Sequence, residues 1–373
     1  MAGSNKPSAE SILKEQTNSE ALKKIPSVTD RIDQVSQQGS VGNLSSAIGE
    51  SFFGLNHRQT PSAIPINKDY FGYTFFTRPA LNFSTANLRG VRELMPLLTN
   101  NMNSVPAILR LTLDPQLARN GFTSAFHDRQ QAFIPILSNH LLSMSGWPDV
   151  VAPMATSPEG VYKESHSMVD GLTKNYSTYD ITASFRNLPG DPITAMFLFW
   201  CHYMSLAFQG RIVPYPKFIV QNRLDCNTRI FRLVMDSTKT KVQKIASTIA
   251  TPMSAPIGAA FNFEADRPIN NSNDQITIPF RCHGAEYQDD ILAAEFNRVV
   301  ERFNGNMQDN LRDKKCKMLA PDELTVFNRK GCYPRINENT SELEWWVPMD
   351  VYNLYQQQAS AYKQLTQSDQ YGR

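Results

Sequence analysis

The chain has 373 residues and a formal net charge of +2, from 37 Lys and Arg against 35 Asp and Glu, so no strong overall field draws it to nucleic acid or an anionic membrane. Its hydrophobic content is 41% but its charged content only 19%, and the Asn, Gln, Ser and Thr that fill the gap give a polar surface that desolvates at low cost in an interface. Such a length buries one large core or two ordinary ones. The longest apolar run, Ala195 to Cys201, stops at His202, well short of the roughly 20 residues a membrane span needs. The opening residues Met1 to Pro7 lack the apolar stretch of a secretory signal, and Ala2 stands where myristoylation requires Gly, so a cytoplasmic start is expected. Five scattered cysteines without a C-x-x-C pair suit a reducing compartment and no disulfide framework.

Residues 1–66 hold only two aromatics, Phe52 and Phe53, among Ser, Gln, Asn, Lys and Glu. Such a stretch cannot form a core by itself. Helical spacings interrupt it at Ile12, Leu13, Leu22 and Ile25 and at Val28, Ile32 and Val35; it reads either as an arm that orders against a partner or as a loose terminus without a role. The texture changes at Tyr70, where Tyr73, Phe75 and Thr77 fall on one side of a predicted strand and Thr74 and Phe76 on the other. Ser84 to Asn87 caps a helix toward Leu98 with Leu88, Val91, Arg92 and Met95 in one stripe, which Pro96 ends or kinks. A second short helix is expected over Leu137 to Met144. The Trp147-Pro148, Ala152-Pro153 and Ser157-Pro158-Glu159-Gly160 steps then mark a long exposed connection over 145–175.

Tyr179 to Phe185 alternates apolar with polar, as a strand with one buried face does. Asp191-Pro192 places an N-cap before a proline at the first helical position. Met196, Phe199, Trp200, Tyr203, Met204 and Ala207 follow at three-and-four spacing up to Gly210, a stripe that faces a core. Thr228 to Met235 and Val242 to Ile249 read as an antiparallel hairpin around Asp236 to Lys241. Ile276 to Cys282 is a further alternating strand, pushed toward a sheet edge by Pro279. Leu292, Phe296, Val299, Val300 and Phe303 form one helical face over 290–303. Beyond Asp350, Val351, Leu354, Tyr355, Tyr362 and Leu365 form a weaker one. The residues expected to hold the fold are Trp200, Phe199, Tyr203, Phe231, Leu233 and Phe261 to Phe263.

The motifs of common enzymes are missing: no G-x-S-x-G, Walker loop, G-x-G-x-x-G after a strand, or H-E-x-x-H. The dipeptides Cys201-His202 and Cys282-His283 invite a zinc reading. However, adjacent residues diverge by about 100° on a helix and point to opposite faces of a strand, so neither pair easily supplies two ligands to one ion. Asp289 with Asp290, Glu342 with Glu344, and Asp225 with Asp236 are carboxylate pairs without a partner group, the pattern of solvated loops and caps. No catalytic, cofactor-binding or metal-ligating residue is therefore assigned. Arg223, Arg229, Arg232, Lys239, Lys241 and Lys244, against Asp225 and Asp236, make the region locally basic. They are the candidate interface residues, reading as salt bridges across a subunit boundary, a solvated hairpin, or a face for nucleic acid that lacks interleaved aromatics.

In this order, Phe71 to Asn82, Asp191 to Ala195 with its Trp-bearing helix, Gly210 to Tyr215, Thr228 to Asp236, Val242 to Ile249, Pro256 to Phe263, Gly284 to Tyr287 and Ile291 to Asn297 resemble the virion structural proteins of large contractile-tailed bacteriophages, over residues 70–300. The resemblance implies a tail or baseplate component with a domain similar to the tail-tube fold, a β-sandwich flanked by one helix. The expected fold is then α+β, mainly an antiparallel β-sandwich or barrel of tail-tube type with flanking helices and extended terminal arms. Its expected divisions are an extended or partly helical arm over 1–66, an α+β region with exposed loops over 67–175, a tube-like core over 176–305 with its helix at 191–209, and a C-terminal extension over 306–373. Contacts are expected from 1–66, 145–175 and 350–373.

The implied function is a non-enzymatic structural component of a contractile tail, in the baseplate or tube-initiating region, assembled in many copies in the host cytoplasm and carried in the virion. Implied partners are other tail and baseplate proteins and further copies in a ring, with no membrane, nucleic acid or cofactor. Two readings of other classes stay open. A tail-associated cell-wall hydrolase needs paired acids or a metal set in a pocket; a cell-surface carbohydrate-binding module needs exposed aromatics, for which Trp147, Trp345 and Trp346 are the candidates, the last two also fitting a half-buried strand.

Overall fold

The computed structural model describes residues 71–172, 177–236, 238–261, 274–288, 290–327 and 331–357. The predicted arm over 1–66 and the end of the predicted C-terminal helix lie outside the described residues. Packing divides the chain into two compact units, Met1–Phe71 with Met235–Lys241, and Gly72–Val234 with Val242–Arg373. In the first, the described loop is organised by Asp236, whose carboxylate accepts from the Thr240 and Lys241 amides at 2.9 and 3.1 Å and from the Thr238 hydroxyl. Burial pushes this carboxyl up, but its hydrogen-bond donors outweigh burial and hold it below the usual carboxylate range.

The described strands are β1 (Phe71–Phe76), β2 (Leu141–Ser145), β3 (Met154–Thr156), β4 (Ser167–Val169), β5 (Thr178–Arg186), β6 (Thr228–Met235), β7 (Val242–Pro252), β8 (Gln275–Tyr287), β9 (Cys316–Met318), β10 (Tyr333–Ile336) and β11 (Leu343–Pro348). They form a six-stranded sheet in the order β1-β6-β7-β8-β5-β2, a three-stranded sheet β10-β11-β9 and a ribbon β3-β4. β5 runs antiparallel to β8 from Thr178 opposite His283 to Arg186 opposite Gln275. The alternation predicted for β5 is realised, with Ile181, Ala183 and Phe185 buried.

The principal helices are α1 (Thr85–Arg89), α2 (Val105–Leu113), α3 (Pro135–His140), α4 (Pro192–Phe208) and α5 (Asp290–Phe303). Consecutive residues Phe75 and Phe76 of β1 show how the second unit is layered, because a strand sends neighbours to opposite faces and both rings are buried. Phe76 meets Phe185 and Phe280 at 5.8 and 6.0 Å, and these rings carry Phe197 of α4, itself stacked on Trp200. Phe75 meets Phe133 and Phe296 of α5 at 4.9 and 5.2 Å, and Phe231 of β6 joins them 5.4 Å from Phe296. The sheet is thus packed between α4 and α5. Asn297 then ties α5 to β10, its amide donating to the Ile336 carbonyl at 2.8 Å and its oxygen accepting from the Ile336 amide at 2.9 Å.

Several expectations are corrected. The stripe Leu88, Val91, Arg92, Met95 does not exist as read. The chain makes the short α1 and then a 3-10 segment, Arg92–Leu97, burying Leu88, Val91, Leu94 and Leu97 and exposing Arg92 and Met95. A spacing of three belongs to the 3-10 helix, and Pro96 has no amide to continue an α-helical ladder. The helix expected over Leu137 to Met144 ends at His140, and the chain extends into β2, where Ser143 to Ser145 pair with Ser184 to Thr182 and cover the open side of β5. β8 is not an edge strand, since it lies between β7 and β5. Pro279 is tolerated because its carbonyl accepts from Met253 at 2.9 Å just past the end of β7, so the missing amide of the same residue faces a position where no strand continues.

Asp191 does precede α4, but in a left-handed conformation with φ 49°, and its carboxylate accepts from Asn187 Nδ2 at 2.6 Å rather than from the helix amides. Phe261, expected in the core, is 79% exposed, and Phe263 lies outside the described residues. The exposed connection over 145–175 carries the β3-β4 ribbon, whose strands of three residues are too short to show a period.

Candidate functional site

The arginines of the predicted basic set are separated by the geometry of β6. Arg229 and Arg232 stand an odd number of residues apart and so project to opposite faces. Arg229 lies over the Phe231 ring, donates to Ser247 Oγ at 2.7 Å, and pairs with Glu286 at 2.8 Å and with Glu295 of α5. Arg232 donates to Thr74 Oγ1 at 2.9 Å, and burial lowers its pKa. Its guanidinium requires Gly72, where an added Cβ would stand 2.5 Å from the Leu233 carbonyl oxygen and 2.8 Å from Arg232 Cζ.

Arg223 belongs to a different group. Lys217 and Arg302 are lowered first by burial, then by the positive charges of Arg119 and Arg223, so four cations gather there that sequence spacing gave no means of finding. Lys244 lies on β7, and Lys239 and Lys241 lie in the Asp236 loop.

Among the described residues, the carboxylates Asp114, Asp225 and Glu344 each have structural partners. Asp114 accepts from the Phe83 amide at 2.9 Å and the Tyr215 hydroxyl at 2.8 Å on Oδ2, and from the Gln116 amide at 3.0 Å on Oδ1. It therefore caps the helix Pro115–Arg119 and pins two other segments. Burial pushes its carboxyl up to about 6 against these hydrogen bonds. Tyr203 of α4 donates to Asp225, and burial raises both groups. Glu344 accepts from Trp346 Nε1 at 2.9 Å and Asn337 Nδ2 at 2.9 Å. Burial pushes Cys201, Cys226 and Cys332 up to about 11 and Cys282 to about 12, the opposite of what a nucleophilic or metal-binding thiol needs. Among the described residues, no three His, Cys, Asp or Glu side chains come together as a metal site.

A cavity of about 900 Å³ opens beside α2 and α3, walled by Phe133 and Trp345, with Phe126 and Val105 at its mouth. Beneath it lies Arg78, whose guanidinium donates to the carbonyls of Thr112, Leu111 and Gln131 at 2.9, 2.5 and 3.2 Å. Tyr333 donates to Asp128 at 2.6 Å beside it. Three lining side chains hold buried polar atoms without a partner: His127 Nε2, Gln131 Oε1 and Ser138 Oγ.

Two sets of exposed apolar side chains on the described surface lie away from the cavity. On the β3-β4 ribbon, Met154 pairs with Val169 and Ala155 with Met168; Met154, Met168 and Val169 are all exposed, and Val161 and Tyr162 at the tip are exposed to 94% and 91%. At the end of α4 and beyond it, Phe208, Val213, Val220 and Leu224 are also exposed. Patches of this kind mark contacts with other molecules.

The sequence matches, over residues 9–363, the profile of a family described as "Putative phage tail tube protein". No curated protein matches it. Among solved structures, the tube-terminating cap of the anti-feeding prophage is 14% identical, with 42% of this chain and 82% of that one covered and a TM-score of 0.25. The sheath-tube complex of an extracellular contractile injection system, in its extended state, gives 16% identity, 42% and 82% coverage and a TM-score of 0.24. The sheath/tube terminator of the same kind of system gives 15%, 42% and 88%, and 0.24.

Proposed function

The chain belongs to this family of phage tail tube proteins, and from that premise we propose that it is a non-enzymatic structural component of a contractile tail that works by multi-copy assembly, at the start of the tube or in the baseplate. In this reading it assembles in the host cytoplasm, forms a ring with copies of itself, and contacts other tail proteins. The observation that carries the assembly part is the β3-β4 ribbon, which holds Met154, Met168, Val169, Val161 and Tyr162 in water. A two-stranded ribbon is marginally stable alone, and apolar side chains displayed on one gain burial when another molecule covers them.

The absence of catalysis in this reading is supported by the work the interior polar groups already do. Asp114 caps a helix, Asp225 and Asp128 hold tyrosines, and the thiols are kept protonated. Imaging of the purified protein by negative stain, with particle mass from light scattering, tests the proposal: rings or short tubes of defined symmetry are expected. Monomers at every concentration, or release of products from purified cell walls, would overturn it.

A further inference from the structure

We propose that the tip of the β3-β4 hairpin of one copy docks in the cavity beside α2 and α3 of a neighbouring copy, with Tyr162 as the anchor. This rests on the multi-copy reading above. The knob is pre-shaped. Gly160 N donates to the Glu164 carbonyl at 2.9 Å, Lys163 N to the Gly160 carbonyl at 3.0 Å and Tyr162 N to Glu164 Oε2 at 2.7 Å. The loop so closed projects Val161 and Tyr162 almost entirely into solvent, and a loop ordered before binding loses less freedom on docking.

The cavity is chemically matched to a phenol. Its mouth is apolar, with Phe126 exposed to 74%. The Thr112 hydroxyl donates to the Ile108 carbonyl at 2.8 Å, so its lone pair takes the His127 Nδ1 hydrogen at 3.4 Å, an assignment that leaves Nε2 a bare acceptor. Burial, with Arg78 behind it, pushes the imidazole down to about 3, so it is neutral. Gln131 Nε2 donates to the Cys332 carbonyl at 3.1 Å, which leaves Oε1 as a second acceptor. The fitting occupant therefore has an aromatic body ending in a neutral donor. A lysine is disfavoured by the buried Arg78 cation, and the exposed Phe208 has no donor to offer. Both acceptors lie under the cavity surface, so the hydroxyl reaches them after a rotamer change of the kind common at interfaces. Knob and hole are different surfaces of one chain, so the contact is heterologous and propagates into a ring or a helical tube.

The test mixes two single variants under a mild copper-phenanthroline oxidant: Val161→Cys, at the exposed tip beside the intact Tyr162 anchor, and Ala125→Cys at the cavity mouth. A covalent pair on a non-reducing gel is expected in the mixture and not in either variant alone. By sedimentation velocity, Tyr162→Ala should raise the concentration needed for assembly about tenfold or more, as truncation of a tyrosine hot spot does, and Tyr162→Phe by a smaller factor. Wild-type assembly with no cross-link specific to the mixture, or assembly of Tyr162→Ala at the wild-type concentration, would overturn the docking while leaving the multi-copy reading intact. A wild-type chain that never assembles would overturn both.

Discussion

The central sheet and the β3-β4 ribbon are made of the same kinds of residue and do opposite things with them. In the sheet, Phe75 and Phe76 are neighbours in sequence and both are buried, one under α5 and the other under α4. In the ribbon, Met154, Met168 and Val169 sit on two paired strands and all remain exposed among the described residues. Apolar content thus does not distinguish fold from interface here; what distinguishes them is whether the chain supplies its own cover. A helix of seventeen residues, Pro192–Phe208, supplies it for one, and the second copy proposed above supplies it for the other.

The largest expected effect falls where cover is complete. Trp200 is fully buried, stacked on Phe197, and donates its indole hydrogen to the Cys226 carbonyl at 2.8 Å. Trp200→Ala should cost about 3–5 kcal/mol from the cavity alone, with a further loss for the unpaired carbonyl, measured by denaturant titration of the monomer. A cost under about 1 kcal/mol would mean that α4 is not the lid of the sheet.

The second prediction concerns pH. Asp114 has its carboxyl raised by burial to about 6, from an ordinary value of 3.8. Between these values the native state binds more protons than the unfolded chain, so this group's contribution to stability falls as pH rises from about 4 to 6, by up to about 3 kcal/mol. Asp114→Asn should flatten that slope of stability against pH. An unchanged slope would show that the carboxylate is fully stabilised by the Phe83 amide, Tyr215 and Gln116. Asp236 in the first unit, held low by its donors, works in the opposite sense: its contribution is lost as pH drops through the acid range.

The third effect is smaller. Arg229 is a quarter exposed and bridges Glu286 and Glu295, so Arg229→Met, which keeps the aliphatic contact with Phe231, should cost about 1 kcal/mol, less at high salt. A salt-independent loss of several kcal/mol would place this bridge among the buried interactions rather than the surface ones.

How far the chain could be read follows the same division. β5 and α5 were legible because burial on one face leaves a clean period of two or three-and-four, and α4 through its Asp191-Pro192 start and the buried Met196, Phe199, Trp200 and Tyr203, although Phe197, outside that stripe, is buried too. α2 was not, because Leu109, Leu111 and Leu113 alternate like a strand while the helix buries nearly all of its last two turns. The 3-10 segment hid behind a plausible α stripe until Pro96 decided it. Of the candidate site, the tip of the ribbon lay inside a connection correctly expected to be exposed, yet its strands are three residues long, too short for periodicity to show. The cavity brings together residues from 75 to 351, and the cluster of Arg119, Lys217, Arg223 and Arg302 is equally scattered, so nothing local could announce either.

The smallest predicted effect is the one that most sharply separates the two regions. Met168 and Val169 on β4 are 67% and 61% exposed, and removing apolar surface that the described residues leave in water changes little in the chain's own transfer free energy or packing. The double substitution Met168→Gln and Val169→Thr should therefore move the monomer's stability by less than about 0.5 kcal/mol, with Thr keeping the β-branched preference for a strand. The same change should weaken assembly, since the apolar area it deletes is area that only a neighbouring copy covers. A drop in monomer stability comparable to that of Trp200→Ala would mean that the ribbon folds back on its own chain, and with that the contrast between a self-covered sheet and a partner-covered ribbon would fail.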